Sequence, residues 1–211
     1  MKKAAFYTLG CKVNQYDTEA VMELFIQSGY EIVEFHEYAD VYVVNTCTVT
    51  HLSDRKCRQM LRKTKKVNPS SILVAMGCYA QAAKDSLKEQ IEEVDIVVGT
   101  DNRNKIIELV EEYNKDKNQY TNIVTDIMDI NEFEELQVST MSERTRVYLK
   151  IQEGCNNYCA YCIIPYVRGR IRSRKIENII EEATRLAHSG FKEIVLTGIH
   201  VASYGKDLNN I

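Results

Sequence analysis

The sequence is poor in residues that make tethers and has no run that spans a membrane. It holds two prolines and nine glycines in 211 residues, too few for a long disordered linker. No uninterrupted apolar stretch approaches the roughly 20 residues that cross a bilayer. The start of the sequence does not read as an export signal. Met1-Lys2-Lys3 precedes a short apolar stretch over 4–9, but Cys11 follows at once without a lipoprotein or small-residue cleavage pattern. The expectation is a cytoplasmic protein that makes no use of a membrane. Seven cysteines cannot all pair within the chain. Without an export signal, cysteines are more often metal ligands or catalytic groups than disulfides. A formal net charge of −3 and a pI near 5.9 neither demand nor exclude nucleic acid; RNA contact must come from a local patch. The hydrophobic fraction of 45% and charged fraction of 27% are ordinary for a globular chain with one or two cores.

What is present is an alternation of strand-like and helix-like stretches. Apolar runs at 4–9, 31–35, 41–44, 72–76 and 94–98 read as strands, and the stretches 14–28, 51–67, 81–91 and 103–113 read as helices. Residues 122–127 offer one more short strand. This pattern predicts an α/β fold with a parallel sheet and crossover helices. Cys11, Cys47 and Cys78 each directly follow a strand and precede a helix. In a parallel sheet such positions share the carboxyl edge, where ligands bind. Three cysteines about thirty residues apart can converge there, with helix N-termini behind them favouring thiolates. The alternative is three small residues suited to tight strand-to-helix turns. Cys57 lies in register with Met60, Leu61, Thr64 and Val67, which makes it a core residue rather than a ligand. The opposite face of that helix carries Arg55, Lys56, Arg58, Arg62, Lys63, Lys65 and Lys66. It is either a solvated face or a phosphate-binding ridge.

The acidic and polar stretch over 126–144 divides the chain into an N-terminal domain, 1–125, and a second unit, 145–211. The second unit reads as strand 146–151, helix 176–189 and strand 194–197. Between the first two of these stands Glu153-Gly154-Cys155-Asn156-Asn157-Tyr158-Cys159-Ala160-Tyr161-Cys162. Three cysteines at C-x3-C-x2-C give a four-iron cluster three of its four thiolates and leave one iron open. Closed zinc sites usually pair C-x2-C units and need a nearby fourth ligand, and the next histidine is His188. A chance group of buried cysteines is the third reading. Downstream, 167–175 contains Arg168, Arg170, Arg172, Arg174 and Lys175, which either ring a pocket, meet RNA phosphate or pair with acidic neighbours. His200 follows a strand end and is a candidate pocket residue; His36, His51 and His188 read as surface or core.

At the second cysteine run the chain resembles the radical S-adenosylmethionine enzymes, with Tyr161 in the aromatic place of their C-x3-C-x-aromatic-C motif. Both cysteine sets together resemble the methylthiotransferases, over essentially the whole chain. The resemblance rests on Thr8-Leu9-Gly10-Cys11-Lys12-Val13-Asn14-Gln15, Asn45-Thr46-Cys47-Thr48-Val49-Thr50, Gly77-Cys78-Tyr79-Ala80-Gln81, 165–174 and Leu196-Thr197-Gly198-Ile199-His200. It implies two 4Fe-4S clusters, one on Cys155, Cys159 and Cys162 and one on Cys11, Cys47 and Cys78. It also implies S-adenosyl-L-methionine, bound near Tyr161, Thr197 and Gly198, with no catalytic residue beyond the cluster ligands. The first cluster and the cofactor would generate a 5′-deoxyadenosyl radical, and the second cluster would carry the sulfur.

The form of the 9–15 segment looks most like the branch that converts N6-threonylcarbamoyladenosine in tRNA to its 2-methylthio derivative. The isopentenyladenosine branch and the ribosomal-protein aspartate branch share the six ligands, and an inactive iron–sulfur-binding fragment is a further alternative. Implied partners are tRNA and an electron donor such as flavodoxin or ferredoxin, with no DNA and no membrane. The family's core is a (β/α)6 partial barrel, of which this chain would hold only the first βαβ unit. Its C-terminal RNA-binding β-barrel would be absent, so the expectation is a truncated chain of doubtful activity whose 147–211 segment does not fold stably alone.

Overall fold

The computed structural model describes residues 1–116, 119–138 and 145–208. Residues 139–144 of the expected inter-domain stretch lie outside the described residues. The first half builds a six-stranded, fully parallel sheet from β1 (Lys3–Thr8), β2 (Glu31–Val33), β3 (Val41–Thr46), β4 (Ile72–Gly77), β5 (Ile96–Val98) and β6 (Thr121–Asn122). The strand order is β2-β1-β3-β4-β5-β6.

Every residue of β3 and β4 is buried, as expected when helices cover both faces of a parallel sheet. The period of two then splits the core. Val41, Val43, Ile72, Val74 and Met76 face one side, with Val21 and Phe25 of α1 (Lys12–Gln27) and Ile106 and Val110 of α5 (Ile106–Lys115). Tyr42, Val44, Leu73 and Ala75 face the other, with Cys57 and Leu61 of α2 (His51–Val67), Ala80 of α3 (Cys78–Ala83) and Leu87 of α4 (Ser86–Gln90). Cys57 is thus a core residue, as its register predicts. The helix expected over 81–91 is two short helices instead. Lys84 takes φ +46 between them, a left-handed conformation that ends α3. The strand expected over 122–127 shrinks to the two residues of β6.

The chain runs from β1 outward to β2, returns across β1 to β3, and then continues outward in the other direction. The carboxyl ends of β1 and β3 therefore lie at the point where the winding reverses, and connections leaving to opposite faces open a crevice there. Cys11 and Cys47 follow these two strands.

The second unit is a three-stranded sheet of order β8-β7-β9. β7 (Arg146–Glu153) is parallel to β9 (Glu193–Gly198) and antiparallel to the two-residue β8 (Arg172–Ser173). Short α6 (Ile164–Arg168) and the amphipathic α7 (Ile176–His188) lie between them in sequence. This unit packs directly on α1. Tyr16 and Ala20 share a core with Leu136, Val138, Val147 and Leu186, and the Tyr16 hydroxyl donates to the Leu136 carbonyl at 2.7 Å. The described part of the acidic stretch is tied down as well. Ile127, Leu136 and Val138 are buried, Glu134 pairs with Arg103 at 2.7 Å, and Glu135 pairs with Arg174 at 2.7 Å.

Candidate cluster and cofactor site

Cys11 is the N-cap of α1, where Ser, Thr, Asp or Asn would usually close the first turn, and its side chain makes no capping bond. The free backbone N–H groups of that turn are left facing whatever anion gathers at the sulfur. Asn14 holds the neighbouring loops: its amide donates to the Leu9 carbonyl at 2.7 Å and the Thr46 carbonyl at 3.0 Å. Asn45 in turn donates to the Asn14 carbonyl at 2.8 Å. Gly10, at φ +112, would place a Cβ only 3.0 Å from Cys47 Cβ, so a side chain there would push Cys47 away. Thr46 Oγ1 donates to Met76 O at 2.6 Å and accepts from Ala80 N at 3.1 Å, fixing the start of α3 and with it Cys78.

These restraints bring Cys11, Cys47 and Cys78 to one cavity of about 620 Å³. The same cavity is lined by Val49, Ser53, Ile164, Thr197, Gly198 and Ile199. The end of β9, in the second unit, therefore meets the three cysteines of the first. A larger hollow of about 750 Å³ lies between the ends of β1 and β2, but Cys11 is its only cysteine and Glu19, Glu31, Glu34 and Glu37 line it. That lining suits neither thiolate ligands nor an anionic substrate. Among the described residues, no three His, Cys, Asp or Glu side chains converge tightly enough for a single metal ion.

Behind Cys78 lies a buried charge network that the sequence reading missed. Arg168 Nε donates to Cys78 Sγ at 3.2 Å. Its other nitrogens donate to Asp17 at 2.9 Å, to Glu153 and to Asn14. Lys150 reaches Asp17 at 2.6 Å and Glu153 at 3.2 Å, while Arg103 pairs with Asp17 and with Glu153 at 3.3 Å. All these side chains are almost wholly buried. Burial alone raises the Asp17 and Glu153 carboxyls, but the surrounding cations outweigh it and hold both below their ordinary range. Burial pushes the Cys78 thiol up, opposed by the Arg168 charge and hydrogen bond. The arrangement sets a guanidinium where a bound thiolate or cluster would need compensation. Burial of Arg168, Arg172 and Arg174 overturns their reading as an RNA-facing strip; pairing with acidic neighbours is what holds. Only Arg170 and Lys175 of that run are exposed.

The second cysteine run follows β7 as an irregular loop. Gly154 has φ +73, and a Cβ there would lie 1.8 Å from the Arg170 carbonyl oxygen. Cys155 N donates to Gly169 O at 3.0 Å and Cys162 N to Cys159 O at 2.9 Å. Cys159 is exposed, and Cys155 and Cys162 are half-buried. Tyr161 is 93% exposed, whereas Thr197 is buried beside the cavity. Gln152, also missed, links the strand ends: it donates to the Gly154 carbonyl at 2.7 Å and accepts from His200 N at 2.7 Å. His200 itself bonds Ser203 through Nδ1 at 2.6 Å.

Residues 3–99 match the model of an uncharacterized protein family, UPF0004, and residues 149–208 match the radical SAM superfamily. The class is thus a radical S-adenosylmethionine protein with a separate α/β region ahead of its cluster loop. The chain is 49% identical over 210 residues to the threonylcarbamoyladenosine tRNA methylthiotransferase MtaB of Bacillus subtilis, with 100% of this chain and 46% of that protein covered. It is 38% identical to a ribosomal protein methylthiotransferase of Desulfitobacterium hafniense, covering 98% of this chain and 46% of that protein. It is also 38% identical to a tRNA-2-methylthio-N(6)-dimethylallyladenosine synthase of a Thermoanaerobacter species, covering 96% and 43%. Along essentially its whole length the chain is similar to radical S-adenosylmethionine methylthiotransferases. It spans about half the length of these relatives. The similarity implies S-adenosylmethionine and iron–sulfur chemistry. No described helix is long and apolar enough to cross a membrane.

Proposed function

We propose that this chain is the cluster-bearing part of a tRNA methylthiotransferase that converts N6-threonylcarbamoyladenosine beside the anticodon to its 2-methylthio form. The observation that carries the reading is the shared cavity, where Thr197 and Gly198 at the end of β9 meet Cys11, Cys47 and Cys78. A reaction that joins a radical-generating site to a sulfur-donating site needs this proximity. The 49% identity to the Bacillus subtilis threonylcarbamoyladenosine enzyme, against 38% to the dimethylallyladenosine and ribosomal-protein counterparts, supports that substrate.

In this reading Cys155, Cys159 and Cys162 hold one 4Fe-4S cluster and Cys11, Cys47 and Cys78 hold a second. The clusters and S-adenosylmethionine supply the radical and the sulfur when bound. The protein's own residues do the positioning. Gln152 fixes the end of β7 against Gly198, so that the backbone beyond β9 presents the cofactor. Arg168 donates to Cys78 and neutralises charge at the sulfur-bearing site. Tyr161, exposed on the loop, would lie near the adenine of a bound cofactor. Residues 1–125 form the sulfur-carrying domain, 126–144 the connection and 145–211 the start of the radical domain. The protein works in the cytoplasm with a flavodoxin- or ferredoxin-type reductant.

The test is anaerobic reconstitution with iron and sulfide, followed by reduction in the presence of S-adenosylmethionine. The expected result is 5′-deoxyadenosine, lost in Cys155→Ala and retained in Cys78→Ala, which should instead lose about half of the bound iron. No cofactor cleavage with intact clusters would leave only an iron–sulfur-binding protein. Nucleoside analysis of tRNA from a deletion strain separates the substrates: loss of the 2-methylthio-threonylcarbamoyl product is expected, and its persistence would exclude this branch.

A further inference from the structure

The α2 ridge was not absorbed by the cluster chemistry. This helix carries seven basic residues and one acidic residue in a chain whose formal net charge is −3, so the remainder of the protein is acidic and the ridge is a separate positive feature. Arg55, Arg58, Arg62 and Lys66 fall at i, i+3, i+7 and i+11, one continuous line on a helix. Lys56 and Lys63 run beside it. The line is about 16 Å long at 1.5 Å per residue, long enough to meet several consecutive phosphates of one strand.

Two features distinguish it from an ordinary solvated face. Arg58 and Arg62 are held by neutral groups. Arg58 donates to the Tyr79 hydroxyl at 3.0 Å and Arg62 to the Gln90 carbonyl at 2.8 Å. Tyr79 is itself held by Gln90 at 2.6 Å. Neutral partners fix the guanidiniums without cancelling their charge, which lowers the ordering cost of binding an anion. Lys65 is paired with Asp95 at 2.7 Å, and Asp54 is a carboxylate close enough to act on Arg58. The ridge also begins at the cavity. Val49 and Ser53 line the cysteine pocket, and Arg55 follows two residues after Ser53. Val49 and Leu52 are 59% and 61% exposed at this end, an apolar step between ridge and cavity.

We propose that the α2 ridge is the phosphate track of the substrate RNA, which holds one strand while a base passes over Val49 and Leu52 into the cysteine cavity. The inference rests on the reading of that cavity as the reaction site. An acidic protein segment is the competing occupant. A line of three guanidiniums and one ammonium leading to the cysteine cavity favours a phosphate backbone.

The experiment uses the whole 211-residue chain and a labelled anticodon stem-loop RNA. Arg55, Lys56, Lys63 and Lys66 are changed together to Gln; all are exposed. A control variant changes the exposed Lys2, Lys105, Lys115 and Lys192 to Gln, with the same change in net charge. The ridge variant should bind about tenfold or more weakly near 0.1 M salt, with a salt slope smaller by about 0.7–0.9 per lost phosphate contact. The control should change less than about threefold. Lys56→Arg with Lys63→Arg should keep wild-type binding, and unchanged melting temperatures show that each variant is folded. Equal loss in both quadruple variants, no loss in either, or no RNA binding by the parent chain would overturn the proposal. So would poly-glutamate binding as tightly as RNA, which would assign the ridge to acidic protein. Cluster assembly and cofactor cleavage are measured on the same samples. Their failure with ridge-dependent RNA binding intact would remove the methylthiotransferase reading and leave the phosphate track standing.

Discussion

Asp17 and Arg168 carry the strongest consequences at the residue scale. Asp17 is a buried carboxylate that accepts from Lys150 at 2.6 Å and from Arg168 at 2.9 Å. Removing one member of such a cluster leaves its partners charged, buried and uncompensated, at a cost of about 3–5 kcal/mol. Arg168→Met and Asp17→Asn should both lower the unfolding free energy by that order, measured by denaturant titration followed by circular dichroism. The pH dependence has a definite sign. The Asp17 carboxyl would titrate near 3.8 when free and lies lower in the fold, so its contribution is fully present above about pH 4 and is lost as the pH falls through the folded value. Asp17→Asn should therefore show a weaker loss of stability on acidification than the parent protein. An equal acid dependence in both would mean that the Asp17 carboxyl is not lowered in the fold. The sequence offered little warning of this network, because its members are separated by up to 151 positions and each alone reads as a surface charge. The one available signal was the density of arginine over 168–174 beside Glu153.

At the scale of elements, the loop after β7 is decided by one glycine. Gly154 takes a left-handed conformation and lets the backbone pass against Arg170. Gly154→Ala should displace the start of the cluster loop, and with it Cys155. With two clusters bound as proposed, the expected outcome is reconstituted protein that keeps the absorbance of a cluster on Cys11, Cys47 and Cys78 and loses that of the other. Full iron content in this variant would show that the loop tolerates the shift. The strands and helices were largely legible, since β3 and β4 read as short apolar runs and α2 and α7 carry a helical period openly. The break at Lys84 and the shortness of β6 were not. Both depend on how α3 is pinned by Thr46 and how β6 adds to an already formed edge, which are tertiary contacts.

For the whole molecule, α1 is the shared wall. One side of it covers the six-stranded sheet through Val21 and Phe25, and another meets the second unit through Tyr16 and Ala20. Residues 145–211 expressed alone would lose Asp17 and Arg103 as partners of Lys150, Glu153 and Arg168, besides the apolar cover of Val147 and Leu186. That segment should show no cooperative thermal transition, while the intact chain should unfold with one; an independent, cooperative melt of the segment would contradict the shared wall.

The sequence by itself determined the parallel α/β pattern, the edge positions of Cys11, Cys47 and Cys78, the C-x3-C-x2-C run and the basic face of α2, because each is written in local spacing and residue type. Only the tertiary structure decided that Thr197 and Gly198 share a cavity with the first cysteine set, that Arg168 touches Cys78, and that three arginines of the 168–174 run face carboxylates rather than solvent. Those outcomes depend on which elements pack together, and burial leaves a charged side chain little choice but to find the nearest opposite charge.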